Sequence, residues 1–302
     1  MKLAATITQA LDGLLYADAF DCALTLEEIH RFSRIRTTKD QLLSWLESPS
    51  LSSFISQESD YYYLCDRRNI VAQRSDNIAR ARKLRQRAIR IARWVQLLPF
   101  VRGVVLTGSV AANDADSEAD IDFLVIVAES RISFGFFMLG GLSRLSSRRL
   151  FCPNYYLSET SLLIQRRDVY VAREISQAIP LTGKAHDFFV ANDWVEQELP
   201  NGALKTNYAR PIMSASIVQK TLEFLCNCIL RKGLEVKLKS LAANRLAHHY
   251  QLQLLPVPEN IKKGFEAGRE LRFHHEKRPE SALHKYEKNR KALLRHLELS
   301  GN

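Results

Sequence analysis

The chain has 302 residues, 46% of them apolar and 25% charged, and carries a formal net charge of +10. Those fractions exclude a disordered or collagen-like chain, and the length accommodates two or three modest domains with at least one buried core. The basic excess favours polyanionic partners such as nucleotides, RNA or DNA, and many basic proteins bind none of these specifically.

Residues 3–18 fit an amphipathic helix, with Leu3, Ile7, Leu11, Leu14 and Leu15 on one face. Thr25 followed by Glu28 reads as a capping box that opens a helix to about Phe32. Thr37 or Thr38 caps a further helix, Lys39 to Glu47. Phe54–Gln57 and Tyr61–Leu64, around the turn Glu58-Ser59-Asp60, read as a β-hairpin. Three helices followed by a hairpin resemble a winged-helix domain. Such a module serves either to bind duplex nucleic acid or to make packing and protein contacts. The second of these fits the mixed charges Lys39, Asp40 and Glu47 better. From Ile78 to Val95, Ile78, Ala81, Leu84, Ala88, Ile91 and Val95 recur at helical steps. The rest of that helix carries Arg80, Arg82, Lys83, Arg85, Arg87, Arg90 and Arg93; any one of them reads as a solvated surface charge, whereas the like-charged set is one that RNA, another polyanion or an acidic protein surface would relieve.

Residues 101–128 hold the densest chemistry. A β-branched run through Val104, Val105 and Leu106 leads to Gly108-Ser109, then ten residues on to Asp120-Ile121-Asp122 and a second run, Phe123 to Val127. Both runs read as buried strands. Side chains alternate along a strand, so Asp120 and Asp122 share a face, about 7 Å apart at Cα. Two carboxylates held this way repel unless a cation lies between them. Oxygen ligands of this kind suit a hard cation, Mg²⁺ or Mn²⁺, which also shares phosphate oxygens with a substrate. The glycine admits close backbone approach to an anion.

Ser130 to Leu150 reads as a largely buried helix ending in the basic cluster Arg144, Arg148 and Arg149, and Phe151–Leu157 as the next strand. Leu162–Ile164 reads as another short strand, Asp168–Gln177 as a helix and Leu181–Lys184 as a turn. Pro200-Asn201-Gly202 and Pro211 mark a boundary. Beyond it Ser214 caps an apolar helix, Ile217–Leu230, followed by helices over Leu234–Leu254 and Glu259–His275 and a basic helix over Tyr286–His296. His248-His249 and His274-His275-Glu276 lack ligand spacing and read as surface or interhelix residues. Cys22, Cys65, Cys152, Cys226 and Cys228 are odd in number and form no CxxC, which points to a reducing, cytoplasmic setting without disulfides or zinc. Polar residues interrupt any signal-peptide core, and Ile132–Leu142 is too short to cross a bilayer, so no membrane contact is expected.

The order Gly-Ser, ten residues, Asp-x-Asp on an apolar strand, with Ser117-Glu118-Ala119 leading in, resembles the signature of the DNA polymerase β-like nucleotidyltransferase superfamily. The resemblance implies an α+β fold, a small mixed sheet flanked by helices, at residues 76–200. A winged-helix-like region at 1–75 would precede it and a helical part at 201–302 would follow. It implies that Gly108 and Ser109 hold the phosphates of an NTP and that Asp120 and Asp122 ligate Mg²⁺ or Mn²⁺. In such families a C-terminal helical part often closes the cleft, which singles out Lys220 as a phosphate contact. The family usually adds a third carboxylate from a neighbouring strand. Phe151–Leu157 carries none: Asn154 stands where the acid is sought, and Glu159 lies past the strand end. Two functions follow. One is transfer of a nucleoside monophosphate from an NTP to an acceptor hydroxyl, with release of pyrophosphate. The other is a catalytically silent nucleotide- or RNA-binding regulator with a winged-helix module.

Overall fold

The computed structural model describes residues 2–65, 67, 69–145, 150–204, 216–229, 232–273 and 277–300. Of the positions singled out above, Arg148, Arg149, Pro211, Ser214, His274, His275 and Glu276 lie outside the described residues.

The first helical stretch is two helices, α1 (Lys2–Ala10) and α2 (Asp12–Ala17), because the chain leaves helical geometry at Leu11. The step turns Asp12 inward, where it accepts a 2.6 Å hydrogen bond from Tyr286 Oη. Thr25 opens α3 (Leu26–Arg31) with a complete capping box: Glu28 N donates to Thr25 Oγ1, and Thr25 N donates to the Glu28 carboxylate. Thr38 caps α4 (Lys39–Leu46) by accepting from Gln41 N. The hairpin forms as β2 (Ile55–Glu58) and β3 (Tyr61–Leu64), and β1 (Leu24–Thr25) joins it in an antiparallel sheet of order β1-β3-β2. The following helix, α5, spans Ile70–Val95 and begins a full two turns before the apolar periodicity does.

A second, mixed sheet has the order β7-β4-β5-β6-β8, from β4 (Val101–Thr107), β5 (Asp122–Val127), β6 (Cys152–Ser158), β7 (Ile179–Gly183) and β8 (Glu270–Arg272). Only β5 and β6 are parallel neighbours, and the crossover between them carries α7 (Ile132–Leu145). Alternation along β5 sends Leu124 and Ile126 into one core and Phe123, Val125 and Val127 into the other. The first core also takes residues from α1, α2 and α3, from α8 (Val169–Gln177) and from α14 (Lys277–Ser300). The second takes α5, α7 and α12 (Lys232–Leu252). Burial on both faces explains why the strands read as continuous apolar runs.

Three expectations are corrected. Leu162–Ile164 is not a strand: its backbone is bonded by the side chain of Asn192, which accepts from Ile164 N and donates to Leu162 O. Of the turn expected at Leu181–Lys184, Leu181–Gly183 is instead the end of β7, paired with β4, and Lys184 alone lies in a turn. The helix expected over Glu259–His275 stops as α13 (Glu259–Glu266). Gly268 adopts φ +67°, which ends helices readily, and Glu270–Arg272 then pairs with β6. The segment beyond residue 200 therefore supplies an edge strand as well as helices.

Candidate nucleotide and metal site

β4 delivers the chain to Gly108, and β5 begins beside it at Asp122, opposite Thr107 in antiparallel register. Gly108 has φ +68°, a left-handed conformation that costs other residues energy. A Cβ at Gly108 would collide with the Asp122 carboxylate, lying 3.2 Å from its Cγ. The glycine is thus required twice, by its backbone angle and by the carboxylate packed against it. A single helical turn, α6 (Gly108–Ala111), carries Ser109, and residues 112–121 return the chain to β5.

That return loop is held from α5. Arg74, 2% exposed, donates to Asn113 O and to Glu28 Oε1 at 2.8 Å each, and its guanidinium lies 3.4 Å from Asp114. Asn77 donates to Asp114 Oδ1, Arg80 to Ala115 O, and Arg85 to Asn113 Oδ1. Arg80 and Arg85, expected among the solvated charges, therefore serve the loop. Arg82, Lys83, Arg87, Arg90 and Arg93 remain exposed and do not line the cleft described below.

Ile121 is fully buried, and the two aspartates on either side of it turn outward together. One ligand atom each from Asp120, Asp122 and Cys152 lie within 4.8 Å of one another. Among the described residues this is the one such cluster of three potential metal ligands. Cys152 arrives by the parallel pairing, directly opposite Asp122, and its N donates to Ile121 O at 3.0 Å. Burial first, and then the charges of Asp122 and Asp120, push its thiol well above the ordinary cysteine value. Without a cation beside it, the sulfur stays protonated at neutral pH. Asn154 donates from Nδ2 to Asp122 Oδ1 at 2.6 Å, while its own Oδ1 is buried and accepts nothing from the described residues. The paired carboxylates form a donor set suited to a hard divalent cation.

These groups open into a cleft of about 1030 Å³. One wall presents Gly108, Ser109, Asp120, Asp122, Cys152 and Asn154; the end of α3 with the following Phe32, and α8, present Arg31, Phe32, Tyr170 and Arg173 from another side. Of the residues singled out in the sequence, Gly108, Ser109, Asp120, Asp122 and Asn154 are thus brought together. Two are not. Glu159 lies beyond the far end of β6, where Lys184 donates to it at 2.7 Å and Arg102 approaches to 3.5 Å. Lys220 is exposed on α11 (Ile217–Ile229), whose neighbouring Gln219 and Glu223 bond Leu98 O, Phe100 N and Arg102 at the start of β4, the end remote from Gly108. Sequence reasoning missed Cys152 and Arg173. The first depends on strand register, and the second is one arginine among many on amphipathic helices. No helix among the described residues is long and apolar enough to cross a membrane.

Residues 89–179 match the family model of the nucleotidyltransferase domain, a span that holds every cleft residue of the first wall. Comparisons with curated proteins and with solved structures returned no match. The matched span supports the polymerase β-like resemblance for this part of the chain, and with it transferase chemistry in general.

Proposed function

We propose that the protein is a magnesium-dependent nucleotidyltransferase that moves a nucleoside monophosphate from an NTP to an acceptor hydroxyl. The observation that carries this reading is the packing of Gly108 in a left-handed turn against the Asp122 carboxylate, with Asp120 beside it. A backbone bend stripped of its side chain and a pair of carboxylates then face the same volume. Asp120 and Asp122 would hold Mg²⁺ or Mn²⁺, which when bound supplies charge neutralisation for the phosphate oxygens. Gly108 and Ser109 bind the triphosphate from the other side. In the transfer the acceptor oxygen bonds to the α-phosphorus, the bridging P–O bond breaks, and pyrophosphate leaves with the electron pair. The hydroxyl proton passes to solvent water, because Asn154 cannot accept it. Asn154 contributes in another way, since its amide donates to Asp122 and fixes that carboxylate's orientation.

A second reading, a silent nucleotide- or RNA-binding regulator, is favoured by that same amide at the position where the resemblance expects an acid. The order α1, α2, β1, α3, α4, β2, β3 supports a winged-helix module at 1–75, and the five exposed cations of α5 suit a polyanion. Incubation with each labelled NTP and Mg²⁺ separates the two. Pyrophosphate release that disappears in Asp120→Ala supports the transferase. NTP binding without release across small-molecule, RNA and protein acceptors supports the regulator. RNA held by α5 would lose affinity with a log–log salt slope of about one unit per phosphate contacted.

A further inference from the structure

Arg173 is as deeply buried as Arg74, 3% exposed against 2%, yet the two are treated in opposite ways. Arg74 meets Glu28, Asp114 and the Asn113 carbonyl. Among the described residues no carboxylate stands within ion-pair distance of Arg173, and neither its Nε nor its Nη1 has a hydrogen-bond partner. Its guanidinium rests on aromatic rings, 3.5 Å from the centroid of Phe32 and 5.0 Å from that of Tyr16. Arg31 stands nearby and, among the described residues, donates to carbonyls alone, Ser176 O at 2.7 Å and Ala203 O at 2.9 Å. Glu28, the acid whose field reaches both arginines, is committed to Arg74 and to the cap of α3. Glu174 lines the same cleft, and neither Nε nor Nη1 of Arg173 bonds it.

A buried guanidinium without an anion is costly, because ring faces replace only part of the lost hydration. Consistent with this, burial pushes Arg173 down to about 10 despite the nearby Tyr16 and Cys22. The cleft that Arg173 lines also contains Asp120, Asp122 and Gly108. A negative group in that cleft is the missing partner. The NTP phosphates are assigned to the Gly108 wall, which leaves the second substrate.

We infer that Arg173, assisted by Arg31, anchors the carboxylate or phosphate of a small hydroxyl-bearing acceptor in the cleft. The inference rests on the nucleotidyltransferase reading above and names its acceptor class. A small acceptor is favoured over a polymer because the exposed cations that could follow a phosphate backbone, Arg82, Lys83, Arg87, Arg90 and Arg93, lie outside the cleft. An enclosed arginine reaches one group that enters, not a chain that passes.

The test is thermal unfolding of the full chain, as wild type, Arg173→Met, Arg173→Lys and Arg31→Met. Each is titrated with inorganic phosphate, with malonate and with a short single-stranded RNA. A ligand that binds the folded state raises the melting temperature. Wild type gains melting temperature with phosphate or malonate, and whichever of the two acts identifies the acceptor's anion. Half-saturation weakens at least about tenfold in Arg173→Met, and less in Arg173→Lys, which keeps a positive charge at the anchor, and in Arg31→Met, which keeps the anchor itself. Half-saturation unchanged in both Arg173 variants overturns the inference, as does a response to RNA alone. Magnesium-dependent ATP uptake by Asp122→Asn is followed in parallel. Its persistence strikes at the nucleotide reading, whereas an anion response indifferent to Arg173 strikes only at the acceptor anchor.

Discussion

Gly108→Ala isolates the bend on which the site is built. Alanine at φ +68° incurs about 1–2 kcal/mol of left-handed strain. Its methyl would lie 3.2 Å from both Cβ and Cγ of Asp122 and on top of a carboxylate oxygen, so Asp122 or the end of β4 must shift. Overpacking of this kind costs about 1–3 kcal/mol. Lower entropy of the unfolded alanine chain returns about 0.4–1 kcal/mol. The net is a loss of about 1–5 kcal/mol, read as a lower urea midpoint at unchanged slope. Because the displaced atom is the carboxylate itself, calorimetry should show magnesium-dependent NTP affinity reduced at least about tenfold. Gly140→Ala in α7 is the control. Its methyl meets nothing within 4 Å and its residue is helical, so stability rises by up to about 1 kcal/mol. If Gly108→Ala unfolds at the wild-type midpoint, or binds Mg·NTP as wild type does, the reasoning about the bend is refuted.

Arg74→Met should cost about 2–3 kcal/mol in urea unfolding. Breaking a buried ion pair typically costs about 3–5, reduced here because Glu28 and Asp114 are 27% and 18% exposed; an unchanged midpoint would show that the loop does not depend on α5. Asn154→Asp places a second charge 2.6 Å from Asp122. The variant should melt lower than wild type in EDTA, recover on adding Mg²⁺, and saturate at about tenfold lower Mg²⁺; insensitivity to Mg²⁺ would contradict the site. At Glu159 burial alone would raise the carboxyl, but the Lys184 hydrogen bond and the charges of Lys184 and Arg102 hold it below the ordinary carboxylate value. Its stabilisation is then present above the unfolded value near pH 4.3 and lost as pH falls through the folded one. Glu159→Gln should therefore lose up to about 1 kcal/mol relative to wild type at pH 7, and the difference should close in acid. A gap that widens toward low pH would reverse the assignment.

What could be read from the sequence was local. The capping residues Thr25 and Thr38, the hairpin and the strand–corner–strand around Gly108 each depend on neighbours within a few positions, and each formed where expected. The placing of Asp120 and Asp122 on one face needed only strand alternation. Cys152 needed more, because its approach to Asp122 is fixed by a parallel register set across the whole α7 crossover. β8 is three residues long and follows a helix with a large apolar stripe, so no periodicity distinguishes it. Lys220 rests on analogy with a closing helix, but the polar contacts of Gln219 and Glu223 seat α11 at the opposite end of β4. The arginines of α5 were legible as a charged set and illegible one by one. Which of them turn inward depends on the carbonyls of residues 113 and 115, brought near only by folding.

On the function proposed above, a carboxylate pair beside a glycine bend shares a divalent cation with a polyphosphate. Titration calorimetry of each NTP into wild type and Asp122→Asn, with Mg²⁺ and with EDTA, tests it most directly. At least one NTP should bind in a Mg²⁺-dependent way, with affinity at least about tenfold lower in the variant. Uptake indifferent to Mg²⁺, or equal in the two proteins, would contradict it.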